Sequence, residues 1–126
     1  MHFFKRRRIL KKTNFLDVHP VRMLEHEVRE DGNINLLMPR FRKKITSSLF
    51  QPPSKEKLIP IKLDKFGSAT WNEINGQNNV SDICRNLEII FSDDLKNQEE
   101  TEERVTKFLS MLYQQRYITF VEIQVE

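Results

Sequence analysis

Between Leu63 and Phe91 the apolar residues recur at helical spacing in two runs divided by a polar stop. In the first run Leu63, Phe66, Thr70, Trp71 and Ile74 fall on one stripe, with Asp64 placed to cap the helix they form. Asn75-Gly76 ends that helix, because glycine enters the left-handed region at no side-chain cost and the polar run Gln77-Asn78-Asn79 cannot continue the stripe. The second run starts at once. Asn79 and Asp82 have capping-box spacing, and Ile83, Cys84, Leu87, Ile90 and Phe91 follow every three or four residues. A third helix is predicted from Asn97 or Thr101 to Gln115 on the stripe Val105, Phe108, Leu109, Leu112 and Tyr113, with Glu99, Glu100, Glu102 and Glu103 at the positive end of its dipole.

Elsewhere the period is two. Val18 to Val28 has strand-compatible residues, Asp31-Gly32-Asn33 is strong turn chemistry, and Ile34, Leu36 and Met38 alternate up to Pro39, so a hairpin is predicted. Ile59, Ile61 and Leu63 alternate with Pro60 and Lys62, a third strand leading straight into the first helix. Pro60 cannot donate to a ladder, which places this strand at an edge. Between the two, Phe41, Ile45 and Leu49 sit four residues apart among Arg42, Lys43 and Lys44. They predict one or two turns of basic amphipathic helix before Pro52-Pro53, in an insertion that can simply cover the sheet. From Tyr117 to Val125 the alternation returns and predicts a further strand, which must find a partner.

The motif Leu-Asp-x-x-Gly-x-x-x-Trp at Leu63–Trp71, the Asn75-Gly76 stop and Asn-Val-x-Asp-Ile at Asn79–Ile83 resemble the PqqD family, the peptide-binding domains called RiPP recognition elements. The resemblance extends over roughly Val18 to Ile118 and includes Glu30-Asp31-Gly32, Leu36-Leu37-Met38-Pro39 and the segment from Phe108-Leu109 to Tyr117-Ile118. It implies a non-catalytic module that holds the leader of a ribosomally made precursor peptide and presents it to a modifying enzyme, often a radical SAM maturase. It also implies the site: the leader adds to the third strand along Leu58, Ile59, Ile61 and Leu63, with anchors against Val105, Leu109, Leu112 and Tyr113 of the third helix. Two features depart from the family pattern, the insertion 40–57 and the strand after Ile118. That strand would extend the sheet at another edge, pair with a second copy, or occupy the groove itself.

Composition narrows the picture further. The length suits one domain, residues 15–126, behind a basic arm of residues 1–14. That arm is read either as a solvated tail or as a contact for an acidic partner, nucleic acid or a membrane surface. No run approaches the roughly 20 apolar residues of a membrane span, and the apolar stretch at the start is too short for a signal peptide, so a cytoplasmic protein is expected. Cys84, the single cysteine, lies on an apolar stripe and is read as a small buried hydrophobe. The net charge of +3 is uneven, basic at Lys5–Lys12 and Arg40–Lys44 and acidic over Asp93–Glu103.

Catalytic patterns are missing. Glu25 and His26 point to opposite faces of a strand, no Cys or His pair has zinc spacing, the three glycines are too far apart for a phosphate loop, and Ser68 has no nucleophile elbow. No enzyme activity, metal or cofactor is therefore expected. The fold expected is α+β, a small antiparallel sheet followed by a three-helix winged-helix-like bundle with an extra C-terminal strand. Such a fold can bind an extended peptide at a sheet edge, or DNA through a helix in the major groove. The glutamates opening the third helix would repel phosphate and favour the peptide. A structural or homodimerising role is the third alternative.

Overall fold

The computed structural model describes residues 15–39, 58–95 and 97–124. The basic arm, the insertion 40–57 with its amphipathic pattern, and Val125 lie outside the described residues. After a short 3-10 turn, Phe15–Asp17, the elements are strands β1 Pro20–Arg22, β2 Glu25–Val28, β3 Ile34–Pro39 and β4 Leu58–Lys62, then helices α1 Lys65–Glu73, α2 Val80–Ile90 and α3 Gln98–Gln114, then β5 Ile118–Phe120 and a helical turn α4 Val121–Gln124. The architecture is α+β, with one antiparallel sheet of order β2-β3-β4 and a second of β1 and β5.

The helix boundaries follow from side chains that satisfy the free amides of a first turn. Asp64 accepts from the Gly67 amide, Asn79 and Asp82 form a reciprocal capping box, and Asn97 accepts from the Glu100 amide, so α3 starts at the earlier of its two expected positions. Helix α1 stops where expected: Gly76 takes φ +80°, and the Asn75 side chain accepts from the Gln77 and Asn78 amides. Helix α3 ends without a glycine. Arg116 adopts φ 67°, its amide returns to the Tyr113 carbonyl and that of Tyr117 to Leu112, a Schellman-type reversal that turns the chain into β5.

Three helical stripes and the inner face of the sheet meet in one core. Trp71, Ile74, Ile83, Leu87, Phe91, Leu109 and Leu112 are buried as their spacing requires, with Phe108 packed at the margin, and Ile34, Leu36, Val80, Ile118 and Phe120 join them. Cys84 is buried in this core. Ile90, expected on the α2 stripe, is 54% exposed. The inward positions of α2 are Val80, Ile83, Cys84 and Leu87, and Ile90 falls past the edge of that arc.

Two strand predictions are corrected. Val18–Val28 is not one strand: it breaks at Met23-Leu24 into β1 and β2, which belong to different sheets. The break lets Arg22 pair with Ile118 while Glu25 pairs with Leu37. The segment Tyr117–Val125 is strand only over Ile118–Phe120 and then turns into α4. Its partner is β1, in the register Pro20 to Phe120. That partner runs out just beyond. The His19 carbonyl still accepts from the Val121 amide, but the Val18 amide already turns back to Phe15, so Glu122, Ile123 and Gln124 have no ladder to join among the described residues. Glu122 instead reaches back, accepting from the His19 amide at 2.9 Å and meeting Nδ1 of that imidazole at 2.6 Å. These contacts with the His19 amide and ring hold the Glu122 carboxyl below its ordinary pKa, although partial burial acts in the opposite direction as the largest single influence.

Trp71 joins the two sheets. Its indole N–H donates to Nδ1 of His26 on β2, while Arg22 of β1 donates to its carbonyl and lies over its ring. Burial and the charge of Arg22 lower the pKa of His26, which keeps the imidazole neutral and able to accept. Trp71→Ala should destabilise the chain by about 3 to 5 kcal/mol in denaturant unfolding, because the ring is fully buried. An unchanged midpoint would refute its central place. Ending the chain after Ile118 should be comparably damaging. Phe120, whose ring packs on Phe15 at 5.7 Å and Tyr113 at 5.2 Å, would be lost with the ladder to β1, and a truncated chain melting like the full one would refute that pairing.

Candidate peptide-binding site

Strand β4 passes into α1 with no loop between them. The Leu63 amide donates to the Ile34 carbonyl, so Leu63 still belongs to the ladder, and the next residue, Asp64, caps the helix. Ser68, one turn into α1, accepts from the Ile34 amide at 2.8 Å. Arg29 at the end of the hairpin donates to the carbonyls of both Ile34 and Leu63. Strand, hairpin and helix are thereby locked at one point.

The Leu63 bond also settles which way each residue of β4 faces. In an antiparallel ladder, residues bonding to one neighbour alternate with residues whose N–H and C=O point away from it. Leu63, Ile61 and Ile59 bond towards Ile34, Leu36 and Met38, so Leu58, Pro60 and Lys62 direct their backbone groups to the outer edge. The β2–β3 ladder agrees: the Arg29 amide donates to Asn33, so Asn35 and Leu37 face β2 and their neighbours face β4. Among the described residues no strand pairs with the outer edge of β4. That edge presents donors at Leu58 and Lys62 and none at Pro60.

Beside this edge a groove runs between β4 and α3. Its apolar lining is Ile61, Leu63, Phe66, Phe108 and Met111, and its polar lining is Lys62, Asp64, Arg104 and Lys107. The floor is closed at Gly67. A Cβ there would stand 3.1 Å from the Asp64 cap oxygen and 3.3 Å from the Phe108 ring, so the glycine of the Leu-Asp-x-x-Gly motif allows α1 and α3 to approach while Asp64 caps. Arg104 lies over the Phe66 ring at 4.1 Å and forms one wall.

The residues expected to hold a peptide divide into three groups. Ile61 and Leu63 line the groove, Leu58 is half-buried on the adjoining edge strand, and Ile59 is 37% exposed on the same face as Ile61. Val105, Leu109 and Leu112 are fully buried on the inner side of α3, where they support the groove from beneath and present no surface to a ligand. Tyr113 lies on another side of α3, against Phe120 and away from β4. The α3 residues that do face the groove are Arg104, Lys107, Phe108 and Met111. The available signal was Met111, 42% exposed, an apolar residue standing off the core stripe.

Among the described residues no group of three or more His, Cys, Asp or Glu side chains could hold a metal ion, and no helix is long and apolar enough to cross a membrane. Burial, with Glu102 and Glu88 nearby, pushes the Cys84 thiol up to about 11, which suits a packing residue and not a nucleophile.

Gly67→Ala tests the closure of the floor. Alanine in a helix interior normally gains up to ~1 kcal/mol over glycine. Here the gain should be cancelled by displacement of the Asp64 cap and Phe108, and a variant more stable by the full amount would show that the contact is loose.

No curated protein and no solved structure matches the chain. The family model described as coenzyme PQQ synthesis protein D (PqqD) matches residues 54–118, which take in β4, the three long helices and the start of β5. The match ends at the residue where the family resemblance stopped, and it leaves out the β2–β3 hairpin, whose generic strand and turn residues lie beyond the insertion. Since the match spans just over half of the sequence, the chain belongs to the PqqD family, the RiPP recognition elements.

Proposed function

We propose that residues 15–126 act as a single non-catalytic module that binds the leader of a ribosomally made precursor peptide as an added strand on β4, with alternate side chains in the groove against α3, and presents it to a radical SAM or other maturation enzyme. The observation that carries this reading is a strand edge that no described strand pairs with, lying directly beside a largely apolar groove, in a chain whose family binds such peptides. Strand addition takes affinity from backbone bonds and specificity from pockets for every second side chain. With Pro60 facing outward, a peptide finds complete backbone partners only at Leu58 and Lys62, so the pockets at Ile61, Phe108 and Met111 carry more of the binding.

A winged-helix DNA-binding role is less well supported. Helix α3 opens with Glu99 and Glu100 in its first turn, which repel phosphate, and the basic block Lys5–Lys12 lies outside the described residues.

The test is titration with candidate precursor leader peptides, drawn from short reading frames that neighbour the gene. Met111→Asp and Ile61→Asp, each verified as folded, should lower affinity by at least ~1 kcal/mol because each sets a charge against an apolar contact. Pro60→Val should tighten binding by roughly 0.5 to 1.5 kcal/mol by restoring one edge donor. If both aspartate variants bind like the wild type, the groove is not the site. If only Pro60→Val is without effect, the peptide uses the pockets and not the ladder.

A further inference from the structure

The groove carries cations beside its apolar lining, and they are set towards the end where β4 passes into α1. Lys62, Arg104 and Lys107 line it where β4 passes into α1, all three exposed, and among the described residues none of them forms an ion pair. The one carboxylate in the lining, Asp64, is committed to capping α1 through the Gly67 amide at 2.7 Å. Glu103 stands one turn before Lys107 on α3, yet makes no ion pair with it. Arg104 is held in place by the Phe66 ring beneath it. A ligand that met these cations with neutral or basic side chains would desolvate them without return.

Direction can be assigned as well. Phe108 meets α1 at Gly67, and Arg104 meets it at Phe66, so the middle of α3 lies by the C-terminal end of β4. At the other end Tyr117, just past α3, reaches the sulfur of Met38, the partner of Ile59. Helix α3 therefore runs antiparallel to β4. A peptide added antiparallel to β4, like every ladder among the described residues, would place its N-terminal part at Lys62 and its C-terminal part towards Ile59. Side chains two residues apart in that peptide would face the groove together.

We propose that the groove selects an extended peptide in which an acidic side chain precedes apolar ones at two-residue spacing, the acid meeting Lys62, Arg104 and Lys107 and the apolar side chains meeting Ile61, Phe108 and Met111. This rests on the peptide-binding reading above and specifies the chemistry of its ligand. The chain's own Arg40–Lys44 block has the wrong sign to occupy this end. Nucleic acid would leave the apolar floor unused and would bring phosphate towards the glutamates of α3.

The experiment is selection of a random peptide display library on the full chain, followed by solution titration of the enriched peptides. Asp or Glu should be enriched two or four residues before the apolar positions. Affinity should fall with added salt, and Lys107→Glu and Arg104→Gln, each with an unchanged melting temperature, should weaken binding by roughly threefold to tenfold. Enriched peptides without an acid, with the acid after the apolar residues, or bound equally by Lys107→Glu would overturn the proposal. In those cases loss of binding in Met111→Asp would leave the peptide-binding reading standing. A library that yields nothing above a blank support would overturn that reading and the proposal with it. A short DNA duplex bound more tightly than any selected peptide, and released by Lys107→Glu, would assign the cations to phosphate and overturn the proposal.

Discussion

The absence of a loop between β4 and α1 is the constraint on which the rest of the structure depends. Leu63 completes the ladder to Ile34 and Asp64 begins the helix, so the axis of α1 is set by the sheet with no adjustable residue between them. Ser68 and Arg29 then satisfy the carbonyls and amides that such an abrupt junction would otherwise leave buried and unpaired. Once α1 is fixed, Trp71 has one place to go. It fills the space between the two sheets, and its edge and carbonyl are taken by His26 and Arg22. The α1–α2 turn is held in the same way, with the Gly76 and Val80 amides bonded to the carbonyls of Pro20 and Val18.

The groove is a by-product of this packing. Helix α3 buries Val105, Leu109 and Leu112, and whatever stands one step around the helix from that stripe must lie at the margin. On the β4 side these are Arg104, Lys107, Phe108 and Met111. The groove and the core thus share one helix, and Gly67 sets the distance between α1 and α3 by letting Phe108 come close to α1.

The division also shows what was legible in the sequence. Caps, stops and stripes are local, and Asp64, Asn79 with Asp82, and Asn97 appear where their spacing places them. The edge position of β4 followed from Pro60 alone. Strand partners are legible only where a turn joins them: Asp31-Gly32-Asn33 announces the pairing of β2 with β3, but nothing in Val18–Val28 announces that β1 pairs instead with β5, far along the chain. The C-terminal alternation likewise could not reveal that its partner ends at His19. The site was half legible for a related reason. Apolar periodicity finds the residues that a helix turns inward, and Val105, Leu109 and Leu112 are those residues, whereas the apolar residues left at the surface, such as Met111, stand off that stripe.

Pro60 limits what can pair with the edge of β4. An open edge next to apolar surface invites pairing with another copy of the chain, and proline at an outward-facing position is a known means of blunting that tendency. Two copies of β4 paired about an axis centred on Pro60 would set proline against proline, with neither able to donate. A peptide whose side chains fill the groove has a second source of affinity and tolerates the missing donor, which a partner relying on the ladder alone does not. On the proposed reading, Pro60, which weakens the edge as a general strand acceptor, would shift recognition towards side chains, and so towards the particular pattern of charge and apolar surface that Lys62, Arg104, Lys107, Phe108 and Met111 present.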